Sequence, residues 1–138
     1  MRIGDEVVLE CAIGTRADIY PFLLDKARGK AVLNVGAAGN ASVYLPDRRE
    51  LWLHTRLLDA AAEVVGLDID PVEVGIAAEH GVTIELGNCE DAHLGRTFDL
   101  IVLLEVIEHV DNLATAIDNL LDHLNPGGEL VMTTPNAT

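Results

Sequence analysis

A chain of 138 residues is long enough for one packed core and too short for two. Hydrophobic residues make up 49%, which argues against disorder, and no apolar run approaches the length of a membrane span. Acidic side chains outnumber basic ones 23 to 9, and the net charge of -14 repels polyphosphate, so nucleic-acid binding is disfavoured.

At the start, Met1 to Glu6 lacks the apolar stretch of a secretory signal. Cys11 and Cys89 have no metal-ligand spacing and are too few for a disulfide framework, so the cytoplasm is the expected compartment. A helix is expected over roughly 16–28, with Pro21 leaving its start open. A short buried strand follows at 30–36. Its end runs into Asn34-Val35-Gly36-Ala37-Ala38-Gly39-Asn40, small residues that let a ligand approach the backbone closely. A plain tight turn accounts for this stretch equally well. The next helix signal comes only at Asp47, placed to cap the N–H of Glu50.

A second strand at 63–68 ends on Asp68, whose carboxylate can accept from both vicinal hydroxyls of a ribose. Asp70-Pro71-Val72-Glu73 reads as a helix cap with proline in the first turn, and Gly81 as the stop. The third strand, 82–86, leads to Gly87-Asn88-Cys89-Glu90-Asp91, where Asn88 could meet an adenine edge while Glu90 and Asp91 read as a solvated turn. The fourth strand, 98–104, opens into Glu105-Val106-Ile107-Glu108-His109-Val110. On a helix, Glu105, Glu108 and His109 would share a face, suited to a metal or a general base. Acids favouring a helix start are the preferred reading over a metal. Asp111 then caps a further helix, closed by Asn125-Pro126-Gly127-Gly128 ahead of a fifth strand at 129–134.

Strand–helix alternation with Val, Ile and Leu on both strand faces implies a parallel, doubly wound α/β sheet. Ligands in such sheets bind beyond the carboxyl ends of the strands, near the point where strand order reverses.

Together these stretches resemble the class I S-adenosylmethionine-dependent methyltransferases, in the small-molecule branch whose fourth strand ends in Glu-x-x-Glu-His-Val. Val32 to Gly36 matches the first motif, Gly66 to Pro71 the second, and Asn88 to Asp91 the third. Phe98 to Val102 with Glu105 to Val110 matches the fourth, and Leu124 to Leu130 with Thr134-Pro135-Asn136 the fifth-strand region. The resemblance implies a Rossmann-like sheet of strand order 3-2-1-4-5 and S-adenosylmethionine as cofactor. It sets Asn34, Gly36, Ala37 and Gly39 at the methionine end, Asp68 with Ile69 at the ribose, and Asn88 with Cys89 at the adenine. Leu104 and Glu105 come near the methionine amine. His109, and after it Glu108, become the candidate catalytic bases for an oxygen, nitrogen or carbon acceptor on a small molecule. The chain departs from the family's Asp-x-Gly-x-Gly-x-Gly at Asn34, Ala38 and Asn40.

Relatives continue past the fifth strand with a helix and an antiparallel strand pair. A single cofactor-binding domain spanning 1–138 and shortened relative to the family is therefore expected, with an open fifth-strand edge that favours self-association. No membrane or nucleic-acid partner is expected. Two rival readings are a catalytically idle interaction domain of the same fold and a fragment of a nucleotide-linked oxidoreductase. The second needs G-x-G-x-x-G and a helix directly behind the glycines, whereas the pattern is missing and the capping signal comes only at Asp47.

Overall fold

The computed structural model describes residues 16–104, 106 and 109–133. Helix α1 (Arg16–Ala27) precedes β1 (Ala31–Val35), a one-turn α2 (Ala41–Tyr44) and α3 (Leu53–Ala60). Then come β2 (Glu63–Asp68), α4 (Pro71–Glu79), β3 (Glu85–Leu86), β4 (Phe98–Leu104), α5 (Leu113–Leu121) and β5 (Leu124–Thr133). All paired strands run parallel in the order β3-β2-β1-β4-β5. Order reverses between β1 and β4, and the carboxyl ends of both strands open there.

The near-continuous burial of β1 and β4 follows from helices on both faces. Along β1 the side chains alternate. Leu33 and Val35 pack with Ile101, Leu103, Ala116 and Leu120 on the α5 side. Val32 packs with Leu23, Ala27 and Leu57 on the α1 and α3 side. A third cluster, Ala38, Ala41, Leu45, Trp52, Ala77 and Ile84, seats the turn after β1 against α4. Asp99 joins β4 to both neighbouring strands. The Ala31 N–H and the Asn125 amide donate to its carboxylate at 3.0 and 2.9 Å and hold it below the usual carboxylate range.

Several boundaries follow the sequence closely and others do not. Asp70 caps α4 by accepting from Val72 N and Glu73 N, and Gly81 (φ +81°) takes the left-handed conformation after it. Asp47, by contrast, caps nothing, and one-turn α2 already follows the glycine turn directly, where the sequence signals no helix before Asp47. Residues 49–51 form a 3-10 turn, and α3 begins after Trp52 with no side-chain cap. The reason is burial: Trp52 is drawn into the core against Ala41 and Leu45, and that anchor decides where the helix enters. Asn112 rather than Asp111 caps α5, its Oδ1 accepting from Thr115 N while Glu90 Oε1 accepts from Asn112 N. Only 85–86 of the third strand pairs with β2, although Val82 and Ile84 are buried. The Asn125–Gly128 stretch is a bulge inside β5, between the pairs Phe98–Leu124 and Leu100–Glu129. Thr134, Pro135 and Asn136 lie outside the described residues.

Candidate functional site

A cavity of about 480 Å³ opens at the carboxyl edge of β1, β2 and β4, a size suited to one small cofactor and an acceptor. Asn34, Gly36, Ala37, Gly39, Asp68, Ile69, Asn88, Cys89, Leu104 and His109 all line it. Glu105 and Glu108 lie outside the described residues. Among the described residues no group of His, Cys, Asp and Glu could hold a metal ion.

The floor is the turn after β1. Gly36 has φ +76°, and a Cβ there would lie 2.5 Å from Val106 Cγ2, so only glycine lets the β1 turn meet the segment after β4. The fourth motif position, Asn40, has φ 63°, the left-handed conformation that asparagine tolerates best after glycine. Ala38 is fully buried. The turn therefore reaches its shape without the family's remaining glycines.

The donors of this turn from Gly36 to Gly39 are already used. Gly36 N and Ala37 N donate to Leu67 O, Ala38 N to Asp68 Oδ2, Gly39 N to Gly36 O, and Ala41 N to Ala38 O. Ser42 donates from both N and Oγ to the Glu73 carboxylate. A phosphate seeks backbone N–H groups at a helix start. Here it would meet N–H groups facing their own acceptors and two carboxylates close by. A phosphate-free ligand bearing positive charge suits these walls, and S-adenosylmethionine is such a ligand.

Asp68 is 8% exposed, accepting from Ala38 N at Oδ2 and from Asp70 N at Oδ1, both at 2.9 Å. Each carboxylate oxygen has room for a second donor, so the pair can still receive two vicinal hydroxyls. Asn88 Oδ1 accepts from Glu90 N at 2.9 Å, which closes its turn and leaves the amide N–H groups as its donors to a base edge. Asn119 of α5 holds the same turn by donating to Cys89 O and Ala92 O. The Cys89 thiol is buried, and that burial, then the nearby Glu90 charge, pushes its pKa up; it is wall, not nucleophile. His109 is exposed on the rim.

Sequence reading passed over the aromatic lining of the cavity. Tyr20, Tyr44, Trp52 and Leu53 line the cavity, so three of the five aromatic side chains converge on it. The Trp52 indole N–H donates to Gly39 O at 3.2 Å and braces the turn. His54 was missed as well. It is 1% exposed, stands 3.2 Å from the Asn34 amide through Nδ1, and burial lowers its pKa from 6.5 to about 4. Its signal in the sequence is slight, one of three consecutive polar residues, His54-Thr55-Arg56, in an otherwise ordinary helix start.

A family model described as a methyltransferase domain matches residues 12–138. The ubiquinone biosynthesis O-methyltransferase of Rhizobium etli is 30% identical over 132 residues, covering 86% of this chain and 53% of that protein. The mitochondrial ubiquinone biosynthesis O-methyltransferase of Schizosaccharomyces pombe is 25% identical over 119 residues, covering 80% and 39%. The S-adenosylmethionine-bound amino pentose methyltransferase CalS10 of Micromonospora echinaspora superposes with a TM-score of 0.67 at 23% identity, covering 85% of this chain and 50% of that one. The chain thus spans about half, or less, of the length of these proteins.

Proposed function

Since the chain belongs to the methyltransferase domain family, of the class I kind that uses S-adenosylmethionine, we propose that it methylates a small-molecule acceptor from that cofactor in the cavity at the sheet's carboxyl edge. One observation carries the reading: the β1 turn commits the N–H groups of Gly36 to Gly39 to protein acceptors, while Asp68 at the end of β2 keeps acceptor capacity for a sugar. That combination rejects a pyrophosphate and receives a phosphate-free nucleoside. S-adenosylmethionine supplies an electrophilic methyl group on a sulfonium when bound.

The protein's part is alignment and proton handling. Asp68 orients the ribose, Asn88 the base edge, and Asn34 with the β1 turn the amino-acid end. These residues would hold the methyl donor fixed against the acceptor, and most of the rate gain would come from that placement. His109, exposed at the rim, takes the proton from an acceptor hydroxyl as the bond forms. An oxygen acceptor is favoured because the curated relatives are named O-methyltransferases. The aromatic wall of Tyr20 and Tyr44 then contacts the acceptor's apolar face.

Calorimetry with S-adenosylmethionine, S-adenosylhomocysteine and NAD tests the reading. Binding of the first two and not the third is expected; NAD binding, or no binding at all, sinks it. No helix of the described residues is long and apolar enough to cross a membrane, and we place the reaction in the cytoplasm. Among the described residues β5 pairs only with β4, and we propose self-association through its other edge. A monomer by light scattering at high concentration would argue against it.

A further inference from the structure

The buried side chains of α3 form a brace behind the cavity that nothing above has used. The His54 ring sits between Trp52, at a centroid distance of 5.4 Å, and the backbone of β2. A Cβ built on Gly66 would lie 2.8 Å from His54 Cε1 and 2.9 Å from Ala37 Cβ, so the missing side chain is what admits the ring. Its Nδ1 stands 3.2 Å from Asn34 Nδ2. An amide nitrogen only donates, so Nδ1 is the acceptor and the neutral ring carries its proton on Nε2. With one Nδ2 hydrogen held inward, the amide's oxygen is the acceptor that Asn34 has left for the cavity it lines.

We propose that His54 is a positioning residue for cofactor binding: it holds the Asn34 amide in one orientation, so that Oδ1 is the acceptor offered to the cofactor's amino-acid end. The inference rests on the reading that this cavity takes S-adenosylmethionine. Strand order assigns the end of the cofactor. Asp68 and the segment bearing Asn88 follow β2 and β3, whereas Asn34 lies on β1 toward β4, on the side away from the nucleoside. An asparagine whose amide could flip would present an N–H to the cofactor's ammonium half the time. As the Nε2–H tautomer, the His54 ring disfavours that alternative, because a flipped amide would set its oxygen against the bare Nδ1. It gives the uncharged Asn34 the fixed polarity that a carboxylate has without help.

The test compares S-adenosylhomocysteine and adenosine by calorimetry on wild type, His54→Leu, Asn34→Ala and the double variant. His54→Leu is expected to weaken S-adenosylhomocysteine by about tenfold, the scale of one buried hydrogen bond, and to leave adenosine unchanged. In the Asn34→Ala background it should cause no further loss. Equal affinity of His54→Leu and wild type, equal losses for both ligands, or losses that add in the double variant would overturn the assignment. Nitrogen NMR of wild type gives an independent reading, should His54→Leu fail to fold. An Nε2–H tautomer is expected, and an Nδ1–H tautomer refutes the proposal. If wild type binds S-adenosylhomocysteine not at all, it is the cavity reading that fails, and the tautomer still tests the brace.

Discussion

Acid should unfold this protein earlier than its carboxylates require, because of one buried imidazole. His54 is 1% exposed, and burial lowers its pKa from 6.5 to about 4. Between those two values the unfolded chain binds a proton on this residue and the native chain does not. Stability therefore rises with pH across the interval, is fully present above about pH 6.5, and is lost as pH falls through about 4. The shift is roughly 2.5 units, which at about 1.4 kcal/mol per unit amounts to about 3 kcal/mol, a large share of a small domain's stability. The carboxyls held low by their partners, Glu63 by the Arg96 hydrogen bond and Asp99 by the Ala31 N–H, begin to lose stabilisation only below their ordinary values of 4.5 and 3.8. The window from pH 6.5 to about 4.5 thus belongs chiefly to His54. Urea unfolding of wild type and His54→Gln, which keeps an acceptor but does not titrate, should show wild type losing about 2–3 kcal/mol more over that window. Parallel losses in the two proteins would refute the reasoning.

Asp68→Asn should weaken S-adenosylhomocysteine binding by about 10- to 100-fold by calorimetry, since it removes a charge-assisted acceptor and forces one oxygen's partners onto an NH₂ group. Gly36→Ala should destabilise by about 1–3 kcal/mol in urea and abolish binding, because its new Cβ meets Val106 Cγ2 at 2.5 Å. Adding Val106→Ala should recover part of that loss but not the part set by φ +76°. His109→Gln should lower kcat by about 100-fold or more in a methyl-transfer assay while leaving S-adenosylhomocysteine affinity unchanged, as removal of a base predicts. A loss of affinity instead would make His109 part of the cofactor wall.

Much of this could be read along the chain because its causes are local. Asp70 caps α4 through N–H groups two and three residues away, and the stop at Gly81 needs only its own left-handed φ. The strand β4 stands where the unbroken run Leu100–Leu104 places it, since a strand covered on both faces must be apolar along its buried length. Asp47 failed as a cap for the opposite reason. Where α3 begins is decided by Trp52 docking on Ala41 and Leu45, a contact that composition near Asp47 does not express.

The alternation of elements by itself determined a parallel doubly wound sheet, the edge where its ligand binds, and Asp68 at the end of β2, because a carboxyl-edge site follows from strand direction. Only the tertiary structure decided that the β1 turn commits the N–H groups of Gly36 to Gly39 to protein acceptors, that Asn40 can stand in for glycine, and that Tyr20, Tyr44 and Trp52 gather on one wall. The pairing of Asn34 with His54 belongs to the same group. These depend on distances between residues far apart in the chain, Asp68 and Ala38 for instance, and on burial that changes what an amide or an imidazole can do. Such distances are set by packing, and no local pattern in the chain carries them.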